Sequence, residues 1–186
     1  VRILGLDPAL QTTGYGILDV TPDGPRVVEA GVIRSAAGRD TPEMAPRLVA
    51  LYDGLMEVLE QCKPTVLVVE TLYAHYEHPR TAILMGHARG CFFLAGAKAG
   101  AEVVEYAATS VKKTVTGHGR ASKEQMQHAI MRELNLAKLP TPHDVSDALG
   151  LALCHYYRVG GSLTGGSRSV RFQGVNMAML TGEAPA

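Results

Sequence analysis

The spacing of apolar positions changes several times along the chain, and each change marks an element. "VRILGLD" is a short apolar run closed by an acid, "PALQTT" turns, and "GYGILDV" resumes, which predicts two strands joined by a turn. "PDGP" at 22–25 is a turn signal. The alternating, β-branched "RVVEAGVIR" predicts a third strand, so residues 1–34 read as an antiparallel meander. From Pro42 to Cys62 the residues Leu48, Leu51, Leu55, Val58 and Cys62 recur at helical spacing. Lys63-Pro64 ends that helix, and "TVLVV" reads as a central strand buried on both faces. Residues 79–98 predict a second helix, with Gly86 and Gly90 one turn apart for close packing. "AEVVEYA" is another strand, "SVKKTV" opens a short helix, and "GHG" breaks it. Ser122 and Gln125 have capping-box spacing, opening a helix to about Leu134. "LPTP" breaks that, and a mostly apolar helix follows over "TPHDVSDALGLALCH". With the short "SVKKTV" helix left out, the order β-β-β-α-β-α-β-α-α predicts an α/β fold, a mixed sheet with helices on its faces.

Length and composition narrow this picture. A chain of 186 residues favours one domain with a real core, and 46% hydrophobic against 19% charged residues marks it as globular. No apolar run approaches the roughly 20 residues that span a bilayer. "VRILGLD" is too short, and too soon interrupted by charge, for a secretory signal, so a cytoplasmic protein is expected. Cys62, Cys91 and Cys154 are odd in number, far apart and set among apolar residues, which reads as reduced core cysteines. "GGSLTGGS" at 160–167 is a flexible composition, and the residues beyond it show no clear pattern. The expected division is a domain over 1–158 and a flexible C-terminal tail over 159–186.

Net charge is zero, yet its distribution is uneven. Residues 1–79 hold 6 Lys and Arg against 11 Asp and Glu, residues 80–123 hold 7 against 2, and residues 124–186 hold 5 against 5. A basic segment inside a neutral chain makes a local patch, and local patches attract phosphate.

Four carboxylates stand at places where an acid needs a reason. Asp7 ends the first strand, where Asp-Pro also makes an ordinary turn. Glu70 follows five buried-looking residues directly, and strand ends in α/β proteins face ligand crevices as well as solvent. Asp144 has an ordinary use: with Thr141 as N-cap and Pro142 as first helical residue it completes an acidic capping box. Asp147 lies a turn deeper, on the stripe that continues through Ala148, Leu151 and Cys154. If the first strand, the fourth strand and the last helix pack side by side, the four acids meet at one sheet edge. Desolvation and like-charge repulsion would make such a cluster intolerable alone. Divalent cations remove the difficulty, and hard oxygen donors suit Mg²⁺ or Mn²⁺ better than zinc. Two ions about 3.5–4 Å apart clamp the attacking and leaving oxygens of a phosphodiester. His75, Glu77 and His78 in "HYEH" are a weaker metal set, spaced for neither a helical His pair nor a finger.

These residues resemble the RuvC-type Holliday junction resolvases, bacterial endonucleases with a ribonuclease-H-like fold. The resemblance runs through "ILGLDPALQTTGYGI", "VVETLY", "GHARG", "VEYAATSVKKTVTGHGRASKEQMQ" and "HDVSDALGLALCH", roughly residues 1–158. It implies a ribonuclease-H-like mixed five-stranded sheet flanked by helices. It implies catalytic, metal-holding carboxylates at Asp7, Glu70, Asp144 and Asp147, with two Mg²⁺ per site for which Mn²⁺ may stand in. The implied reaction is two-metal-ion hydrolysis that nicks two like-polarity strands of a four-way junction, leaving 5′-phosphate and 3′-hydroxyl ends, in DNA recombination and repair. The aromatic that stacks on an unpaired base at the junction falls on Tyr73, and such stacking is worth about 1–3 kcal/mol. The DNA-contacting lysines fall on Lys112 and Lys123, with Arg89 and Arg120 of the same basic segment counted beside them. The implied partners are four-way junction DNA, a second copy of the chain, and a RuvA–RuvB branch-migration complex. Gly86 and Gly90 make the 79–98 helix the candidate dimer contact.

Two departures from the family pattern stand out. Ala9 occupies the place after Asp-Pro where the family has Gly. Some relatives carry His where this chain has Asp144, and here His143 stands one residue earlier, about 100° around the helix. The D-x-x-D register keeps Asp144 and Asp147 on one face, which favours Asp144 as the ligand and leaves His143 as an alternative ligand, proton donor or phosphate contact.

Other functions fit less well. An actin-like kinase or ATPase shares the first-strand acid but needs a second phosphate loop and a second domain. A non-catalytic junction-binding module would keep Lys112, Lys123 and Tyr73 and have no use for four acids. A nuclease of the same fold acting on linear or other branched nucleic acid would use the same carboxylates.

Overall fold

The computed structural model describes residues 1–35, 43–72 and 79–160. Three strands open the chain: β1 (Arg2–Asp7), β2 (Thr12–Thr21) and β3 (Gly24–Arg34). They pair antiparallel as the meander predicts, and Gly24 takes the turn at a φ of 119°, open to glycine. Then follow α1 (Met44–Cys62), β4 (Val66–Glu70), α2 (Pro79–Lys98), β5 (Glu102–Tyr106), α3 (Ala108–Thr116), α4 (Lys123–Glu133) and α5 (His143–Arg158). β4 joins β1 in parallel and β5 joins β4 in parallel, each after a helical crossover. The sheet order is β3-β2-β1-β4-β5, the mixed five-stranded sheet flanked by helices that the element order predicts.

The alternation of side chains sorts each strand between two cores. Ile3, Leu18, Val66 and Val68 face α3, α4 and α5, while Leu4, Leu6, Ile17, Leu67 and Val69 face α1 and α2. α5 is the central helix, and its buried positions include Ala148, Leu149, Leu151, Ala152, Leu153 and Cys154. It lies closer to the sheet than side chains would permit. A Cβ added at Gly5 would stand 2.0 Å from the Ala148 carbonyl oxygen, and one at Gly16 would stand 2.6 Å from Leu149 Cδ2. The backbone of β1 and β2 is therefore bare where α5 crosses it.

The capping box expected at Ser122 and Gln125 is present in both directions at the start of α4. The one expected at Thr141 is absent. α5 begins at His143 with Pro142 as its N-cap, and no side chain caps it. A prolyl N-cap has no side-chain oxygen to offer, so the ordinary structural use of Asp144 disappears. Within one chain Gly86 and Gly90 have no close neighbour: a Cβ at either would meet nothing within 4 Å. Their face of α2 is open to solvent, with Ile83 63% and Leu94 57% exposed. Cys62 and Cys154 are buried free thiols and Cys91 is half-buried. "HYEH" and all but Val159 and Gly160 of the expected tail lie outside the described residues.

Candidate active site

The strand periodicity that builds the cores also aims the acids. In β1, Ile3 and Gly5 face α5, so Asp7 two residues on faces α5 too. In β4, Val66 and Val68 face the same way, and so therefore does Glu70. The parallel register sets Gly5 beside Val68 and Leu6 beside Val69, which brings Asp7 and Glu70 to neighbouring C-terminal strand ends. On its other side Asp7 pairs with Gly14 of β2. A Cβ at Gly14 would stand 2.0 Å from the Asp144 carbonyl oxygen and 2.8 Å from the Asp144 Cβ. The absent side chain lets the first turn of α5 settle directly beside Asp7. Asp147 follows one turn later on the same helical face. Asp7, Glu70, Asp144 and Asp147 are all half-buried, and His143 is exposed.

The electrostatics follow from that crowding. Burial pushes the Asp7 carboxyl up to about 7, and the charges of Asp147, Glu70 and Asp144 push the same way against Lys123. Glu70 is raised by burial and by Asp147, with Lys112 and Arg89 opposing. Burial raises Asp147 against the pull of Lys123; Asp144 adds to the rise, and His143 and Lys112 to the pull. Asp7 thus sits within Coulombic reach of the other three acids in a partly desolvated edge, with two lysines as partial counter-charge. This is hard-oxygen donor chemistry in need of cations. Among the described residues no three His, Cys, Asp or Glu side chains already stand in ligating geometry. The donor set and its uncompensated charge fit divalent ions of the Mg²⁺ class.

The basic residues divide. Lys112 lies on α3 and Lys123 opens the capped α4, both close enough to act on the acids. Arg120 is exposed and lines a cleft of about 630 Å³ with His118, Gln125, His128 and Arg132. Arg89 does not meet the expectation of a DNA contact. It is 9% exposed, its guanidinium donates to the Glu70 carbonyl oxygen and pairs with Glu105, and it lies 4.8 Å over the Phe93 ring. The expected stacking residue, Tyr73, lies outside the described residues.

Gly5, Gly14 and Gly16 shape the site without belonging to the set of residues predicted for it. Their signal was available: glycine at alternate positions within strands marks a face that another backbone approaches. Nothing in the sequence distinguished Arg89 from the other cations of its segment.

A family model described as "Crossover junction endodeoxyribonuclease RuvC" matches residues 3–155. A protein of that description from Rhodopirellula baltica is 48% identical over 157 residues, covering 83% of this chain and 85% of the relative. The Thermus thermophilus RuvC structure superposes with a TM-score of 0.76 at 28% identity, covering 87% of this chain and 98% of that one. The same organism's RuvC in complex with Holliday junction substrate gives 0.77 at 26% identity, over 85% and 94%. These likenesses and the sheet topology bear out the expected ribonuclease-H-like fold.

Proposed function

Since this chain belongs to the family of crossover junction endodeoxyribonuclease RuvC, we propose that Asp7, Glu70, Asp144 and Asp147 form the active site with which it cuts Holliday junctions. The chain is a structure-selective endonuclease of DNA recombination and repair, and its family is metal-dependent. The observation that carries the site assignment is the shared face of the four acids. Two strand ends and one helix aim them at one partly desolvated edge, where Asp7 is held near 7 by burial and by its neighbours.

The four carboxylates would hold two Mg²⁺ ions, with Mn²⁺ as substitute. Bound there, the ions supply Lewis acidity for activating water and counter-charge for the phosphodiester. The chain does the placing. Gly14 seats Asp144 beside Asp7, and the α5 turn sets Asp147 against both. Lys112 and Lys123 meet DNA phosphates at the rim, and the backbone N–H groups at the start of α4 add to that contact. Arg120 extends it along the cleft. Tyr73 stacks on an unpaired base at the junction centre. The products carry 5′-phosphate and 3′-hydroxyl ends. The bare α2 face of Ile83, Gly86, Gly90 and Leu94 is the contact for a second copy, so that paired sites meet two like-polarity strands. A RuvA–RuvB branch-migration complex is the partner the family suggests. No described helix is long and apolar enough to cross a membrane. An enzyme that acts on chromosomal junctions would do so in the cytoplasm.

The test is incubation with a synthetic four-way junction and a matched linear duplex, each with Mg²⁺, Mn²⁺ and EDTA. Paired symmetrical cuts in the junction with either metal, and none in EDTA or in the duplex, are expected. Cutting in EDTA sinks the metal reading, and equal cutting of the duplex makes the enzyme a nuclease of broader substrate.

A further inference from the structure

Arg89 has no part in the surface chemistry described so far, yet it touches the backbone of one proposed metal ligand. Where β4 ends explains why. Thr71 N–H donates to the Tyr106 carbonyl at 2.9 Å, which turns the next outward pair of β4 toward β5. The Glu70 carbonyl belongs to the same trans peptide as that N–H and points to the opposite side of the strand, toward β1. Carrying the β1–β4 register one step past Leu6 and Val69 sets Asp7 beside Glu70. The donor due to the Glu70 carbonyl is then the N–H of residue 8. Residue 8 is Pro8, which has none. The ladder is one hydrogen bond short at the strand end that carries Glu70.

Arg89 supplies it. The guanidinium rises from α2, on the sheet face opposite the carboxylate cluster, and donates to the orphan carbonyl. A second nitrogen pairs with Glu105, which stands on β5 next to Tyr106, the register partner of Glu70. Phe93, one turn further along α2, lies under the guanidinium plane at 4.8 Å. Two strand ends are thereby tied together by one planar, buried fork. A lysine, with one point charge on a flexible stem, does not reproduce that geometry.

We infer that Arg89 is a positioning residue for Glu70: from the far face of the sheet it fixes the end of β4, and with it the direction in which the Glu70 carboxylate meets the metal site. The inference rests on the proposed metal-holding role of Glu70. Groups that orient a ligand in this way typically govern metal affinity or activity by about 10–100-fold.

The experiment compares wild type, Arg89→Ala, Arg89→Lys and Glu105→Gln by three measurements. These are Mn²⁺ affinity by calorimetry, the Mg²⁺ titration of junction cleavage, and junction binding in EDTA. Arg89→Ala is expected to keep junction binding in EDTA, while its Mn²⁺ affinity drops and its Mg²⁺ midpoint rises by about 10-fold or more. Arg89→Lys recovers little of this. Free guanidinium chloride, added to Arg89→Ala well below denaturing concentration, restores part of the lost affinity. Glu105→Gln, which unpins the guanidinium without removing it, shifts the same quantities less and in the same direction. It carries the test alone if Arg89→Ala does not fold. Unchanged metal affinity and midpoint in both Arg89→Ala and Glu105→Gln overturn the inference. So does a loss of EDTA junction binding that matches the loss of cutting, which would return Arg89 to the DNA surface. Failure of the underlying reading looks different, because then wild type itself binds no Mn²⁺.

Discussion

At the scale of one residue, Asp7 is the carboxylate pushed furthest from its ordinary value among the described residues. Its carboxyl is held near 7 by burial and by three like charges, where an unfolded chain leaves an aspartate near 4. The charged form is the one the fold disfavours. Without metal, the penalty is absent below about pH 4, grows as the pH rises through the interval, and is complete above about 7. Metal-free protein therefore loses stability as the pH is raised from 4 to 7. Asp7→Asn removes this contribution, which solvent screening of a half-buried group reduces to ~1–2 kcal/mol. Thermal unfolding in EDTA at pH 8 should place the variant a few degrees above wild type, at about 2–4 °C per kcal/mol for this chain length. The gap should close toward pH 4. Cleavage in Mg²⁺ should vanish while junction binding survives. A variant that cuts at near wild-type rate ends the active-site assignment. One that is no more stable than wild type in EDTA shows that the Asp7 charge is relieved in another way.

At the scale of elements, glycine rather than any charged residue decides where the acids meet. The strand and helix periods, the turn at 22–25 and the Ser122 box were legible because each is a local preference written in neighbouring residues. The shared face of Asp7 and Glu70 was legible too, since each acid follows an alternating or buried strand. The seat of α5 was not. It depends on Gly14 meeting the backbone of Asp144, 130 residues away, and no local pattern fixes such a distance. The capping box at Thr141 failed for a related reason: Pro142 became the cap itself, and Asp144 was left for the site. The burial of Arg89 was not legible, because a basic segment reports charge and not burial. Gly14→Ala tests the seat. Its new Cβ would collide with main-chain atoms that cannot rotate away, so the first turn of α5 must lift, at ~1–3 kcal/mol. A ligand moved by about 1 Å can cost about 10²-fold in rate. Cleavage should fall by that order with junction binding retained. Wild-type cutting by a folded Gly14→Ala protein would show that Asp144 need not sit beside Asp7.

For the whole molecule, the proposed cutting of two strands calls for a second site, since each chain carries one. A single copy places its acids at one edge of one sheet, and a four-way junction offers two equivalent strands related by a two-fold axis. A second copy related by the same symmetry would meet both at once, and closed two-fold pairing is the commonest way proteins assemble. The surface for it follows from what α2 leaves uncovered. Ile83 and Leu94 are more than half exposed, and between them Gly86 and Gly90 present bare backbone for close approach. The same helix reaches inward through Arg89 to Glu70, so the proposed dimer contact and one proposed ligand share an element. Gly90→Glu with Leu94→Glu puts two like charges per copy on the axis without touching the buried face of Ala88 and Phe92. Sedimentation should show a folded monomer in place of a dimer. On a cruciform plasmid the paired cut that linearises the circle should give way to single nicks, because two independent monomers rarely cut within one junction lifetime. A double variant that still sediments as a dimer moves the contact elsewhere. One that is monomeric yet linearises the plasmid like wild type separates dimerisation from paired cutting.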